Sequence, residues 1–135
     1  MVKKQVPRGI RNNNPLNIRI GNTWLGEVNI PTDPSFEQFV SMEYGLRAGF
    51  IILRRYIRRY HKNTVASIIS TWAPENENQT QRYIDVVCGL TKLAPDVPIR
   101  YEDQETMVSL VAAMIQVECG CTVPEAKIRR GYELA

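Results

Sequence analysis

The amino-acid sequence predicts a mainly α-helical (α+β) fold with a small β-hairpin lobe near the N-terminus. From residue 41 onward, apolar residues recur at intervals of three and four, a spacing typical of amphipathic helices that share a core. Before residue 41, short runs of β-type residues alternate with Asn, Pro and Gly, which favour turns. We therefore expect one domain over residues 1–135, with the β lobe at about residues 14–40 and the helical part at residues 41–135.

The predicted β lobe contains two or three short strands. Residues 18–20 (IRI) and 23–25 (TWL) are β-type runs, and Gly21 and Asn22 between them are suited to a turn. Residues 37–40 (EQFV) are a candidate for a third strand. The first 40 residues are therefore predicted to fold as an irregular hairpin region.

Five helices are predicted, and each starts at a residue that can cap a helix N-terminus: Ser41, Thr64, Asn78, Asp103 and Thr122. The first helix reaches about Tyr60, and the second ends before Pro74. Gly89 and Gly120 close the third and fourth helices. Residues 122–125 (TVPE) have the pattern of a capping box with an early proline, which predicts a short last helix.

Composition excludes several classes of protein. Hydrophobic residues make up 44% and charged residues 23%, which is typical of a soluble globular protein. No apolar run is long enough to span a membrane, and no apolar segment follows the basic N-terminus as in a secretory signal. We therefore expect synthesis in the cytoplasm, no membrane insertion, and a monomer.

Cysteine and histidine usage bears on redox state and metal binding. Three cysteines, Cys88, Cys119 and Cys121, are an odd number that suggests reduced thiols and not a disulfide framework. His61 is the only histidine, so the Cys-x-Cys pair lacks further ligands for zinc. No nucleotide-binding loop or nucleophile motif is present, and we expect neither a metal nor a cofactor.

Glu118 is the first candidate for chemistry. It lies in the last turn of the fourth helix, at the edge of an apolar stripe formed by Met107, Leu110, Val111, Met114 and Val117. Apolar neighbours and the partial negative charge of a helix C-terminus would both raise the pKa of its carboxyl. A carboxyl that stays protonated near neutral pH can act as the general acid of a glycosidase. The alternative is an ordinary solvated residue at a helix end.

A basic segment, RRYIRRYHK, follows the middle of the first predicted helix and carries Arg54, Arg55, Arg58, Arg59 and Lys62. It is either a solvated helix face or a surface that attracts a polyanion, such as nucleic acid or the anionic bacterial wall. No recognised nucleic-acid motif accompanies this charge, so we expect no specific nucleic-acid partner.

Several short strings occur in an order that resembles a known superfamily. Residues 13–19 (NNPLNIR) resemble an asparagine-rich turn of the type NNLFGIK, and a Trp-Leu-Gly step follows at residues 24–26. Residues 36–39 (FEQF) come next, and residues 72–80 (WAPENENQT) resemble an aromatic-led loop that enters a helix. This order is similar to that of the lysozyme-like superfamily, in its glucosaminidase and lytic-transglycosylase branch. The chain also resembles small phage or prophage proteins that carry the string RGIRNNNPLNIR, which is residues 8–19 here.

The position of the glutamate helix departs from that family pattern. In those enzymes the catalytic glutamate precedes the asparagine-rich turn, whereas here the best match, residues 114–120 (MIQVECG), lies near the other end of the chain. We interpret this as a circularly permuted version of the lysozyme-like fold. Permutation is physically reasonable because the two termini of a domain often lie close together at its surface.

The resemblance implies that the substrate is peptidoglycan and that a β-1,4 glycosidic bond between amino sugars is cleaved. Glu118 would be the general acid/base. Glu43, at the start of the long helix, is our first choice as second carboxylate because a helix N-terminus keeps a carboxylate ionised, with Asp33 and Glu37 as alternatives. If no second carboxylate faces Glu118, a lytic transglycosylase is the better prediction, since the sugar's own substituents then assist.

Six further residues are candidates for contacts with the saccharide: Asn14, Asn17, Trp24, Trp72, Asn78 and Tyr83. The aromatic rings would offer flat apolar faces to sugars, and the amides would bond acetamido groups. Alternatively, the aromatic residues are core, and the asparagines shape turns or cap helices.

The bacterial wall lies outside the cytosol, so an enzyme of this kind would act after release, packaging into a virion or delivery by a secretion machine. The alternative function is a phage structural or wall-binding protein without catalysis, in which Glu118 is structural.

Overall fold

A computed structural model of the protein describes residues 6–74 and 76–135. Helices account for most of this part of the chain, and they are α1 (Arg8–Arg11), α2 (Met42–Arg59), α3 (Val65–Trp72), α4 (Glu77–Thr91), α5 (Gln104–Cys119) and α6 (Glu125–Leu134). The prediction of a mainly α fold is confirmed. The basic residues 1–5 and residue 75 of the predicted aromatic-led loop lie outside the described residues.

Helix α5 is the centre of the core and packs against α1, α4 and α6. Its buried side chains cover more than one face: Met107, Val108, Leu110, Val111, Ala113, Met114 and Ile115. A helix that is apolar around most of its circumference is an interior helix, and each large side chain contributes roughly 1.5–3 kcal/mol when fully buried. Val117 differs from the prediction, since it is partly exposed at 37%.

Helix α2 forms the second main layer and packs most extensively on α6. Its predicted start is confirmed, because the Ser41 side chain accepts a hydrogen bond from the backbone N–H of Tyr44 at 3.4 Å. The α2–α6 contact is close at Gly131, where an added Cβ would lie 2.6 Å from the Cβ of Leu46. A larger residue at Gly131 would therefore push the two helices apart.

Local capping explains which predicted helix boundaries are right. Thr64 caps the start of α3 as predicted, and its side chain forms a capping box with Ser67 that was not predicted. Gly120 closes α5 in the left-handed conformation, with φ of 64°. Asp103 caps α5 by accepting a hydrogen bond from the backbone N–H of Thr106 at 3.3 Å.

The predicted boundaries of α4 are wrong at both ends. Asn76, and not Asn78, is the N-cap, because its side chain accepts hydrogen bonds from the backbone N–H groups of Asn78 and Gln79. At the other end the helix continues through Gly89 to Thr91, and Lys92 takes the left-handed position with φ of 64°. A non-glycine residue thus closes the helix one turn later than the glycine suggests.

The predicted capping box at the start of α6 is also wrong. Pro124 occupies the N-cap position, and no side chain of the described residues caps this helix. The hydroxyl of Thr122 instead accepts a hydrogen bond from Nε2 of Gln116 at 3.0 Å, which ties the connection to the end of α5.

The predicted β-hairpin lobe is an irregular segment. Among the described residues, its pairing is limited to two isolated antiparallel bridges, Arg19 with Phe36 and Glu27 with Phe39. The buried side chain of Asn14 replaces regular strand pairing: its Nδ2 donates to the backbone oxygens of Ile18 and Glu37, and its Oδ1 accepts from the N–H of Ile18. We call residues 14–40 the N-terminal lobe.

Two further features of the chain differ from expectation. Helix α1 was not predicted, because it has only four residues, and among the described residues no side chain caps it. Cys119 and Cys121 are paired across Gly120, with Cα atoms 5.3 Å apart, a separation at which two cysteines can form a disulfide. Cys88 is a free thiol, so the expectation of reduced thiols applies to this residue.

In the part of the chain that is described, no helix has the length and apolar character needed to cross a membrane.

Candidate active site around Glu118

A cavity of about 770 Å³ lies between the N-terminal lobe and helices α2 to α5. This volume is in the range of sites that hold small-molecule ligands. We call it the Glu118 cavity. Its lining residues come from five segments that are far apart in the chain: Asn17, Ile18, Arg19, Phe36, Ile52, Tyr56, Trp72, Ala73, Asn76, Gln79, Thr80, Arg82, Tyr83, Val86, Gln116, Val117 and Glu118.

The carboxyl group of Glu118 is the centre of the polar contacts in this cavity. Its Oε2 atom accepts hydrogen bonds from the Tyr83 hydroxyl at 3.0 Å and from Nε1 of Trp72 at 3.3 Å. Asn17 donates from Nδ2 to the backbone oxygen of Glu118 at 3.0 Å and lies 3.5 Å from its Oε1 atom. Four predicted site residues are thus brought together by the fold.

Two opposing effects act on the pKa of Glu118. Burial raises the pKa, because the charged form loses its solvation in apolar surroundings. The hydrogen bonds from Tyr83, Trp72 and Asn17 and the positive charge of Arg19 lower it, because they favour the ionised form. Burial is the largest effect, so the pKa lies above its ordinary value. Apolar surroundings were one of the two reasons expected from the sequence.

The two aromatic donors to Glu118 are Trp72, which is held by packing between helices, and Tyr83, which is buried within α4. Trp72 is the last residue of α3, and its ring packs edge to face against Tyr56 of α2, with ring centroids 6.4 Å apart. Tyr83 is buried in the middle of α4, and burial raises the pKa of its hydroxyl well above the ordinary range. Tyr83 is therefore a neutral donor at any pH at which the protein functions.

Backbone conformation brings Asn17 to Glu118. Asn17 has a positive φ of 53°, a left-handed conformation that asparagine adopts more readily than most residues. Its neighbour Asn14 was proposed for the same task, but the Asn14 side chain is fully buried and bonds only lobe backbone. The two asparagines of the NNPLNIR string therefore have different roles: Asn14 shapes the lobe, and Asn17 contacts Glu118.

Three other predicted site residues do not line the cavity. Trp24 is buried in the lobe core at 8% exposure, which accords with the alternative of a core residue. Asn78 is exposed in the first turn of α4, where Asn76 caps the helix and lines the cavity. Glu43 lies in the first turn of α2, away from the cavity lining. The fold separates these residues from Glu118.

Glu118 is the only carboxylate among the described residues that line the cavity. Of the two alternatives for a second carboxylate, Asp33 accepts hydrogen bonds from Nε and Nη2 of Arg8, each at 2.6 Å, which holds the pKa of Asp33 well below the ordinary range. Glu37 is buried beside Glu27, and burial together with that carboxylate raises the pKa of Glu37 to about 7.

Arg19 and Arg82 also line the cavity, and the sequence analysis did not select them. A signal existed in both cases, because Arg19 ends the NNPLNIR string and Arg82 precedes Tyr83. In the described residues, no group of three or more potential metal ligands lies together.

Comparisons with known proteins place the chain in a phage family. No model of a known protein family matches the chain. The chain is similar to Protein P5 of Pseudoalteromonas phage PM2, with 38% identity over 134 residues, which is 96% of this chain and 82% of that protein. An identity of this size over nearly the whole chain means that the chain belongs to the family of Protein P5 of Pseudoalteromonas phage PM2.

Proposed function

We propose that this phage protein is a peptidoglycan-cleaving glycosidase in which Glu118 is the general acid/base. One observation carries the proposal: a partly buried carboxyl with a raised pKa lines a ligand-sized cavity and is held there by Tyr83, Trp72 and Asn17. A general acid needs a proton near neutral pH and a fixed position beside its substrate.

The hydrogen bonds indicate which oxygen of Glu118 carries the proton. Oε2 already accepts from two donors, Tyr83 and Trp72, so a proton on that atom would compete with them. Oε1 has a single, long contact of 3.5 Å with Asn17. Protonation at Oε1 keeps both strong donors satisfied, so Oε1 is the atom that would deliver the proton to a glycosidic oxygen.

A single carboxylate in the described cavity lining favours a lytic transglycosylase over a hydrolase with two acids. In that reaction Glu118 protonates the oxygen of the leaving sugar as its bond to C1 breaks. The C6 hydroxyl of the muramyl sugar then bonds to C1, and its proton returns to the Glu118 carboxylate. No water is consumed, one product has a free hydroxyl, and the other has a 1,6-anhydro end.

The resemblance to the lysozyme-like superfamily, in permuted form, remains part of this proposal. The family pattern requires the catalytic glutamate to lie beside the asparagine-rich turn. The hydrogen bond between Asn17 and the backbone of Glu118 supports such an arrangement, although the two residues are 101 positions apart. Membership of a phage family favours release at lysis or packaging in the virion as the route to the wall.

The test measures loss of turbidity of purified peptidoglycan with the wild-type chain and with Glu118→Gln, followed by mass analysis of the products. We expect clearing with 1,6-anhydro ends for the wild type and no clearing for Glu118→Gln. Glu133→Gln is the matched control, since Glu133 is exposed on α6 and should leave clearing unchanged. Products with reducing ends would instead indicate a hydrolase.

A wall-binding phage protein without catalysis is the second candidate function. The same hydrogen bonds would also suit a structural role for Glu118, in which its carboxyl joins α5 to α3 and α4 and its backbone oxygen joins α5 to the N-terminal lobe. In that case the wild type binds insoluble peptidoglycan without clearing it. Glu118→Gln would then lower thermal stability while leaving the bound fraction at saturating peptidoglycan unchanged.

A further inference from the structure

We infer that Arg19 and Arg82 form an anion-binding subsite of the Glu118 cavity that selects glycan strands carrying carboxylate groups. The inference rests on the proposed function and names the substrate feature that this site recognises. Both arginines line the cavity, one from the N-terminal lobe and the other from α4. Together with Glu118 they are the charged residues of its described lining.

Arg19 lies at the cavity against an aromatic ring and has no ion-pair partner in the described part of the chain. Its guanidinium lies 5.1 Å from the centroid of the Phe36 ring, which also lines the cavity. An aromatic face attracts a guanidinium but leaves its N–H donors free for another ligand. Among the described residues, no carboxylate lies within ion-pair distance of Arg19, so its donors are available.

Arg8 shows what a paired arginine looks like in the same region. Its guanidinium lies 4.6 Å from the centroid of the same Phe36 ring, but its Nε and Nη2 atoms both donate to Asp33, each at 2.6 Å. Arg8 is thus neutralised by the lobe itself. Arg19 contacts the same Phe36 ring, but no carboxylate pairs with it in the described chain.

Arg82 brings a second positive charge to the cavity. It is exposed on α4, next to Tyr83, and none of the ion pairs of the described residues involves it. When Glu118 is protonated, as the proposed reaction requires, the described lining carries two positive charges and no negative charge. Such a concave surface attracts anions and raises their local concentration.

Peptidoglycan differs from neutral glycans in the groups that guanidinium recognises. Its amino-sugar backbone is uncharged, and its carboxylates belong to the lactyl ether of the muramyl sugar or to the peptide attached there. A guanidinium binds a carboxylate through two parallel hydrogen bonds, which fixes both position and orientation. Arg19 and Arg82 would therefore place a muramyl sugar, and not an N-acetylglucosamine, on their side of Glu118.

The test is calorimetric titration of the full chain carrying Glu118→Gln, so that the glycans stay intact. Three probes are used: the uncharged tetramer of N-acetylglucosamine, a peptide-free peptidoglycan tetrasaccharide, and the same tetrasaccharide with its peptides. We expect the double change Arg19→Gln with Arg82→Gln to weaken binding of the carboxylate-bearing probes by about tenfold or more, and of the uncharged tetramer by less than about twofold.

Lys127→Gln with Arg130→Gln is the matched control, since both residues are exposed on α6 outside the cavity and the same charge is removed. This control should leave the affinity for all three probes unchanged. In the parent protein, a higher salt concentration should weaken the binding of the carboxylate-bearing probes only. A loss with the peptide-free probe assigns the lactyl carboxylate as the ligand, whereas a loss confined to the third probe assigns the peptide.

Three outcomes would overturn the inference. The first is equal affinity of the Glu118→Gln chain, with both arginines present, for the charged and the uncharged probes. The second is an equal loss of affinity for all three probes when both arginines are replaced. The third is that the chain binds none of the glycans. Clearing of peptidoglycan by the wild type separates the two claims. If the wall is cleared and these arginines do not discriminate, the subsite is refuted while the glycosidase proposal stands.

Discussion

Two carboxyl groups have raised pKa values in different surroundings: Glu118 is partly buried and lines the cavity, whereas Glu37 is buried in the N-terminal lobe. Burial is the largest cause of a raised pKa in both. Glu118 accepts hydrogen bonds from three neutral donors and lines a cavity of about 770 Å³. Glu37 faces the carboxyl of Glu27 and lines no part of that cavity.

The difference teaches that a shifted pKa does not by itself identify an active site. Oε2 of Glu37 is buried and has no donor among the described residues, so a proton shared with Glu27 is the simplest way to satisfy it. Glu118 combines its shift with access and with donors that fix its orientation. A substrate can react only with a carboxyl that it can reach and that is held in a fixed orientation.

The largest expected effect separates the two groups by activity. Glu118→Gln removes the acidic proton and should lower the rate of glycan cleavage by roughly a hundredfold to ten-thousandfold. Glu37→Gln should leave the rate within about threefold, because its carboxyl is enclosed in the lobe and the amide has nearly the same shape. Initial rates on solubilised peptidoglycan check both values. A larger loss for Glu37→Gln than for Glu118→Gln would reverse the comparison.

The second effect separates them by stability. Because the pKa of Glu37 is raised from an ordinary value near 4.5 to about 7, the folded protein binds this proton more tightly than the unfolded chain. The free energy of unfolding should therefore be highest below pH 4.5 for this group and fall between pH 4.5 and about 7. The decrease is up to about 3 kcal/mol. Urea unfolding at several pH values should show this slope, and Glu37→Gln should reduce it.

A smaller effect tests how the donors tune Glu118. In the native protein the 3.0 Å hydrogen bond from Tyr83 to Oε2 lowers the pKa of Glu118, and Tyr83→Phe removes this bond. The pKa should rise, so the basic limb of the pH–rate profile should move to higher pH. The rate at neutral pH should fall by less than about tenfold, since one hydrogen bond is lost. Tyr44→Phe, in the first turn of α2 away from the cavity lining, is the control and should leave the profile unchanged.

The smallest effect concerns charge at a distance. Arg19 lowers the pKa of Glu118 through its positive charge, as the last of the four opposing influences. Arg19→Gln should therefore move the basic limb in the same direction as Tyr83→Phe but by less, and the shift should vanish at high salt. Arg8→Gln should not move it, because Arg8 does not line the cavity and is not among the groups that shift the pKa of Glu118. A salt-independent shift would argue against a charge effect.

Local chemistry made several elements predictable from the sequence. Ser41 and Thr64 begin helices, and Gly120 ends one, because each acts through its own hydrogen bonds or backbone preference within a few residues. The choice of Asn78 as a cap was wrong because Asn76, two residues earlier, offered the same chemistry. When two residues can cap a helix equally well, the conformation of the preceding loop decides at which of them the helix begins.

The lobe could not be predicted as well, because its order comes from contacts between distant residues. Asn14 bonds the backbone of Glu37, 23 positions away, and thereby takes the place of a strand partner. Trp24 and Trp72 looked equivalent in the sequence, yet one is buried in the lobe and the other donates to Glu118. Packing across the chain decided which tryptophan belongs to the site.

The amino-acid sequence by itself determined the helical class of the protein and the position of Glu118 at the apolar end of α5, since periodicity and capping act over a few residues. Only the tertiary structure decided that Asn17, Trp72 and Tyr83 surround this carboxyl and that Glu43 does not. Those contacts join residues 35 to 101 positions apart. They form when the lobe and the helices pack on one core, and no local pattern in the chain encodes that event.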